Sequence, residues 1–351
     1  MKVAILGVGL IGGSIGLAAR RRANAEVRGY DPDARVSARA LELGAIGAQA
    51  ADLAEAVAGA EVVFVAAPVG ALAETVRLAL DAAPPDCVVT DVGSTKRVVK
   101  DAGEDERFVG GHPLAGAETS GVEHAREDLF DGATWYLTPA RGSTAGVLYE
   151  RLHAVLRSFG AQPTAIDADT HDRLMAYVSH LPHVMANLLV AQAANLLGGE
   201  QSQRRLPAVG PSFRDATRVA GANPGLWPDI LLANRDALGD QLATAAARLE
   251  EVRGALERAD RGALERWQAE AADTREALME AATHTGPTRE LRVVVPNRPG
   301  VVAELALALA RAGINISDMS LTPAPDNTRG EIALWVAARD YDRALALVRD
   351  I

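Results

Sequence analysis

The stretch Val3-Ala4-Ile5-Leu6-Gly7-Val8-Gly9-Leu10-Ile11-Gly12-Gly13-Ser14 decides the fold. Its four apolar residues read as a buried strand, and the run from Gly13 through Ala19 reads as a helix. Between them, Gly7 allows a tight turn, Gly9 lets backbone approach a pyrophosphate, and Gly12 lets helix pack close to strand. Amide groups at Leu10, Ile11 and Gly12 then face an anion. A lone Gly-x-Gly-x-x-Gly is a weak signal. Here the strand precedes it, the helix follows it, and Val27-Arg28-Gly29-Tyr30-Asp31 stands where a second strand should end. Asp31 is spaced to accept hydrogen bonds from an adenosine ribose, and its charge repels a 2′-phosphate, so the expected cofactor is NAD and not NADP.

Outward from that turn, residues 1 to about 165 alternate strand and helix, which predicts a parallel sheet covered on both faces. The expected strands are residues 3–6, 26–30, 62–66, 87–90, 108–110 and 134–137, with a helix over 37–43 ended by Gly44. Ala67 and Pro68 close the third strand, at the kind of strand end where ligands sit in open α/β sheets. Asp91-Val92-Gly93-Ser94-Thr95-Lys96 repeats the pattern, with Ser94 and Lys96 just past a strand. From about Asp169 the period becomes helical. Residues 170–197 form a long apolar run with a kink expected at Pro182, and residues 229–279 carry charged helical faces with few breakers. Thr285-Gly286-Pro287-Thr288 reads as a linker. Residues 290–351 reset to a β-α-β-β-α-β pattern whose last strand is expected to be absent or very short. The chain is thus expected to be an α/β Rossmann-like domain (1–166), an all-α middle domain with long helices suited to a dimer interface (167–284), and a small α+β domain (289–351).

A net charge of −10 argues against a nucleic-acid surface. The single cysteine, Cys87, lies in an apparent strand, which rules out an internal disulfide and fits a reducing compartment. Lys2 and the apolar run after it are broken by glycines and are needed for the first strand, so no signal peptide is read there. No apolar stretch is read as crossing a bilayer. The expectation is a cytoplasmic protein with no membrane partner.

Three constellations have the composition of chemistry. In Gly111-His112-Pro113-Leu114-Ala115-Gly116-Ala117-Glu118, a histidine in a glycine-flanked loop after a strand can act as a base near neutral pH. In Ser179-His180-Leu181-Pro182-His183, the two histidines share a helical face; the usual carboxylate or cysteine partners of zinc are not nearby in sequence, so no metal is expected, and one ring is read as packing while the other lines a pocket. In Phe213-Arg214-Asp215-Ala216-Thr217-Arg218, two cations four residues apart would clamp a dianion, or simply be solvated and paired with Asp215 or Asp229.

Taken together with His171-Asp172, these motifs resemble the prephenate dehydrogenase family over roughly residues 1–280. Residues 290–351, with Asn297-Arg298-Pro299-Gly300-Val301 and Gly313-Ile314-Asn315-Ile316, resemble an ACT domain, and such domains commonly bind an amino acid between copies. The resemblance implies NAD-dependent conversion of prephenate to 4-hydroxyphenylpyruvate and CO2 by a homodimer. It implies His112 as base, Ser94 orienting His112 and the substrate hydroxyl, Arg218 pairing with a substrate carboxylate and His183 contacting the pyruvyl chain. Glu118 and Asp172 match positions that shape or gate the pocket, Arg214 a usual basic position, and Trp227 an aromatic that closes the site. Asn297, Pro299, Gly300, Asn315 and Ile316 match an effector site, expected to take tyrosine. Alternatives are arogenate as substrate, a non-catalytic amino-acid sensor, or a β-hydroxyacid-type dehydrogenase. The last leans on a helical-domain lysine, and the helical region here has none.

Overall fold

The computed structural model describes residues 1–116, 119–139, 146–196, 209–282, 288–298, 301–324 and 328–349. The chain divides into two compact units, Met1–Ala245 and Ala246–Ile351. The first begins with β1 (Lys2–Leu6), α1 (Leu10–Arg22), β2 (Glu26–Tyr30), α2 (Ala34–Glu42), β3 (Ala48–Gln49), α3 (Leu53–Val57), β4 (Val62–Val65), α4 (Val69–Ala82) and β5 (Val88–Asp91). The five strands form one parallel sheet in the order β3-β2-β1-β4-β5. β1 lies at its centre, and the two-residue period of a strand sends Val3 and Ile5 into one core and Ala4 and Leu6 into the other. An unbroken apolar run is what a strand covered on both faces requires. α2 starts earlier than its sequence pattern, because Asp33 caps it through the Arg35 amide.

The next strands do not join that sheet. β6 (Val109–Pro113), β7 (Thr134–Pro139) and, after α5 (Val147–Ser158), β8 (Gln162–Ala165) make a separate sheet in which β6 and β7 are antiparallel and β7 and β8 parallel. The single parallel sheet expected over residues 1–165 is corrected accordingly, since short apolar runs carry no information about direction. His112 is also not in a loop: it lies on β6, opposite Tyr136. The flanking glycines have a packing cause. A Cβ at Gly111 would stand 2.6 Å from the Asp91 carbonyl oxygen, and one at Gly110 2.3 Å from Thr138 Oγ1. Glycine at 111 lets β6 pass close to the end of β5, and glycine at 110 lets it pass close to β7.

The helical part of this unit starts with α6 (Ala168–Met175), capped by Asp167. A π-helical turn over Ala176–His180 follows, then α7 (Leu181–Leu196). The expected kink is therefore a widened turn just before Pro182, whose ring nitrogen offers no N–H to the carbonyl of Val178. Contrary to the sequence reading, Ala168–Ala194 is long and apolar enough, by length and composition, to cross a bilayer. Its first half carries buried His171, Asp172 and His180, which bond into this unit. α8 (Pro211–Thr217), α9 (Trp227–Ala233) and the start of α10 (Arg235–Glu257) complete the unit. The helical stretch expected over 229–279 is broken where Ala259, at φ +47°, separates α10 from α11 (Arg261–Ala282).

In the second unit, β9 (Thr288–Pro296), α12 (Val301–Arg311), β10 (Ile316–Pro323), β11 (Arg329–Ala337) and α13 (Tyr341–Val348) form an antiparallel sheet, order β10-β11-β9, over a core of Leu291, Leu305, Leu309, Ile332, Leu334 and Val348. A last strand at Ile351 lies outside the described residues.

A Cβ at Gly12 would lie 1.9 Å from the Gly7 carbonyl oxygen, whereas one at Gly9 meets nothing within 4 Å. Thermal and denaturant unfolding should therefore show Gly12→Ala destabilised by about 2–3 kcal/mol and Gly9→Ala by at most about 1 kcal/mol. Equal losses would mean that the turn is not held by backbone contact.

Candidate active site

A chain of three side chains runs through the interior where β6 meets α6. His171 Nδ1 is 2.8 Å from Asp172 Oδ1, and His171 Nε2 is 2.9 Å from His112 Nδ1. His171 and Asp172 are fully buried. With His171 neutral, the network sets one tautomer for each ring. Asp172 only accepts, so His171 carries its proton on Nδ1. In the neutral His171 ring, Nε2 then accepts from His112 Nδ1–H, which leaves His112 Nε2 as a bare lone pair. Burial, followed by the nearby His171, Lys96 and His180, holds His112 well below the ordinary imidazole range. His112 is thus a neutral base at physiological pH.

Asp172 is also the strut of the site. Its carboxylate accepts the backbone N–H of Lys96 at 2.8 Å and of Arg97 at 2.9 Å, and so ties α6 to the loop after β5. Burial pushes its pKa up, but the bonds from His171, Arg97 and Lys96 outweigh burial and leave it below the usual value. Lys96 is buried and pairs with Asp91; its Nζ also donates to the Gly111 carbonyl at 2.6 Å. Asp91 accepts the Gly111 N–H at 3.0 Å in return, which locks β6 beside β5 and sets the position of His112. Asn234, which caps the end of α9 just before α10, donates to the Asp172 carbonyl at 2.7 Å.

His112 opens on a cavity of about 370 Å3 lined also by Ser94, Met175, Val178, His180, Trp227 and Ile230. The hydrogen-bond partner of His112 is His171 and not Ser94, which corrects the expected orienting role of that serine. Ser94 Oγ is buried with no partner of its own. Trp227 also lines a second cavity, of about 290 Å3, and stacks on His183 with ring centroids 3.4 Å apart. Burial and then the charge of Arg218 lower the pKa of His183, which places Arg218 near it. His183 therefore lines a cavity that shares Trp227 with the cavity of His112. Arg214 is exposed on α8. Glu118 lies outside the described residues.

The residues expected to hold a nucleotide converge at the carboxyl ends of β1, β2 and β4. Gly7, at φ +93°, backs onto Ala66, where a Cβ would meet the carbonyl oxygen at 2.5 Å. Gly9 faces open space, and the helix it starts has no side-chain cap. Leu10 and Ile11 are partly exposed, and Ala67 and Pro68 lead into α4. Asp31 is held beside the turn by the amides of Val8 and Asp33, each at 3.1 Å. This cradle fits a dinucleotide: room over Gly9, an uncapped helix terminus and a fixed carboxylate for a ribose.

In the second unit the expected effector residues do not come together. Asn297 follows β9 and donates its backbone N–H to Thr328 at the start of β11, while Asn315 precedes Ile316, which pairs with Val336 at the other end of β11. The length of a strand, roughly 25 Å, separates the two turns. Pro299 and Gly300 lie outside the described residues.

Sequence reasoning gave His171, Tyr136, Asn234 and Lys96 no role here. His171-Asp172 was visible as an adjacent pair, and the motif around Lys96 was visible too. Nothing in the sequence connects Asn234 to either, because that contact spans 62 residues. Tyr136 packs edge-to-face on His171 at 5.8 Å.

Family models match the chain over residues 15–163 ("Prephenate dehydrogenase, nucleotide-binding domain"), 167–270 ("Prephenate dehydrogenase, dimerization domain") and 289–351 ("ACT domain"). The prephenate dehydrogenase of Bacillus subtilis is 33% identical over 346 residues, covering 96% of this chain and 92% of its own. Among solved structures, Aquifex aeolicus prephenate dehydrogenase in complex with hydroxyphenyl propionate and NAD+ superposes with TM-score 0.71 at 28% identity, over 79% of this chain and 98% of its own. Synechocystis arogenate dehydrogenase superposes with TM-score 0.69 at 27% identity, over 79% and 100%.

Buried imidazoles make stability pH-dependent. Burial lowers the pKa of His180 to about 4, against the opposing pull of Asp172, and that of His112 falls well below 6.5. Both rings take protons more readily unfolded. Their stabilisation is complete above about pH 6.5 and is lost as pH falls towards 4. Unfolding midpoints should be flat above pH 6.5 and drop below it, and His180→Asn should reduce the slope by up to about 1.4 kcal/mol per pH unit. An unchanged slope would show that His180 is not buried neutral.

Proposed function

This chain belongs to the prephenate dehydrogenase family, and from that premise we propose that it oxidises and decarboxylates prephenate to 4-hydroxyphenylpyruvate, with NAD+ as oxidant and CO2 and NADH as the other products. The observation that carries the reading is the Asp172–His171–His112 chain, which leaves a neutral lone pair on a cavity wall beside the nucleotide-binding sheet. Bound NAD+ supplies the acceptor for the hydride that leaves C4.

The chain's own residues do the rest. His112 Nε2 accepts the C4 hydroxyl proton as that carbon is oxidised. Ser94 Oγ, buried without a partner, hydrogen bonds the same hydroxyl. Once CO2 has left and the ring is aromatic, the C4 oxygen takes the proton back from His112, so no net proton is released. His183 and Arg218 hold the pyruvyl side chain, and the guanidinium pairs with its carboxylate. Trp227, Met175, Val178 and Ile230 keep water from the reacting ring. Gly7, Gly9, Leu10, Ile11, Gly12, Asp31, Ala67 and Pro68 hold the dinucleotide, and the Asp31 carboxylate disfavours a 2′-phosphate. Asp172 positions the relay, Glu118 shapes the pocket, and Arg214 supplies positive charge at its approach.

The same reading divides the chain at 1–166, 167–284 and 289–351 and makes it a cytoplasmic homodimer through its middle part. Tyrosine is the feedback effector, bound by the last part. Because the turns at Asn297 and Asn315 are a strand length apart in one chain, each effector site takes one turn from each of two copies. Likeness to the Synechocystis enzyme supports a second reading, in which arogenate is the substrate. His183, lowered in pKa beside Arg218, favours an α-keto side chain over an ammonium and so supports prephenate.

NADH formation on adding prephenate tests the activity; turnover of arogenate alone would move it to the second reading. His112→Asn should lower kcat by about 10²–10⁴-fold, and unchanged turnover would remove the base. A chain lacking residues 288–351 should keep its basal rate and lose inhibition by tyrosine. Inhibition that survives the deletion would put tyrosine in the active site instead.

A further inference from the structure

The contact between His112 and His171 can move a proton as well as aim a ring. His112 Nδ1 is 2.9 Å from His171 Nε2, and His171 Nδ1 is 2.8 Å from the Asp172 carboxylate. A hydrogen bond between two imidazoles joins groups of equal intrinsic basicity. Imidazole is roughly 10²–10³-fold more basic than a carboxylate, so the proton shared with Asp172 stays on the ring. A proton can therefore change hands between His112 and His171, and the surroundings decide which ring holds a positive charge. A charge on His112 would be buried, with Lys96 close by; its hydrogen-bond partner among the described residues is His171. A charge on His171 would rest against Asp172, whose carboxylate is held in place by the amides of Lys96 and Arg97. The other groups nearby do not reverse this preference. Tyr136 on β7 packs edge-to-face on His171, and Lys96 is itself paired with Asp91. His180 accepts from Asn234 at 3.1 Å and is kept neutral by burial, which lowers its pKa to about 4.

We propose, on the prephenate reading, that the positive charge created when the C4 hydroxyl is deprotonated is held on His171 and not on His112. His112 Nε2 takes the hydroxyl proton while the Nδ1–H bond of His112 breaks and that proton joins His171 Nε2. The electron pair of the hydroxyl O–H bond becomes the second C–O bond as hydride leaves C4. His112 is then neutral again in the opposite tautomer, and the imidazolium faces the Asp172 carboxylate. Once the ring is aromatic, both transfers reverse and the C4 oxygen recovers its proton. His171 touches no substrate. It acts through His112, by giving the proton a place where a negative charge already waits, prearranged in a site without water. The arrangement differs from a histidine oriented by a carboxylate alone, in which the charge has to stay on the ring that meets the substrate.

Single-turnover NADH formation from prephenate, with the full-length protein and NAD+ in mixtures of H2O and D2O, tests this by counting protons in flight. Two coupled transfers predict a rate that falls along a downward-bowed curve as the deuterium fraction rises. A straight line, or no dependence, would overturn the proposal. His171→Gln separates relay from orientation. Its amide oxygen, near the place of Nε2, accepts the Nδ1–H of His112 and keeps the tautomer, but is too weak a base to take the proton. This variant should hold KM for prephenate within about threefold, lose about 10–100-fold in kcat and give a straight line. Wild-type kcat, or a curve still bowed, in the Gln variant would also overturn the proposal. Should that variant not fold, the wild-type curve decides alone. A wild-type protein that forms no NADH with prephenate would instead remove the parent reading.

Discussion

One buried carboxylate holds the site together. Asp172 has no solvent, so its charge must be met by donors, and it is met by two backbone amides from the loop after β5 and by the imidazole beside it. The first two bonds fasten the helical part of the first unit to its sheet. The third dictates which nitrogen of His171 carries a proton, and hence which nitrogen of His112 does not. A structural anchor and the setting of the His112 tautomer are therefore the same interaction. Removing one partner of such a network leaves an uncompensated buried group, which costs several times what the pair contributes over an apolar replacement.

The second constraint is close approach of backbone to backbone. Gly7 and Gly12 bring α1 against the ends of β1 and β4, Gly111 brings β6 against the end of β5, and Gly110 brings β6 against Thr138 of β7. These contacts converge on one edge of the fold. The nucleotide cradle and the base thus come to face one region, although they belong to different sheets. The Lys96–Asp91 pair reinforces the second contact from inside, by way of the Gly111 carbonyl and amide.

The sequence was legible where a local pattern has one physical meaning. The Gly7–Gly12 turn, the apolar run of β1, Asp31 at the end of β2 and the reset to a small α+β unit near residue 290 are of that kind. It was misleading where local pattern is silent about partners. Glycines around His112 looked like a loop and are a strand in tight packing. The strands after Phe108 looked parallel and are mixed. Ser94 was expected to orient His112, but that role fell to His171, 59 residues away in the chain. The amide of Asn234, which fixes the His180 ring, has no local signature at all.

The central claim is that His112 enters the reaction as a neutral imidazole protonated on Nδ1. Long-range nitrogen–proton NMR spectra of histidine-labelled protein, taken from pH 6 to 8, report that tautomer directly. The account predicts a His112 ring with Nδ1–H and a bare Nε2 that does not titrate across this range. A ring protonated on Nε2, or one that titrates near pH 6.5, would contradict it.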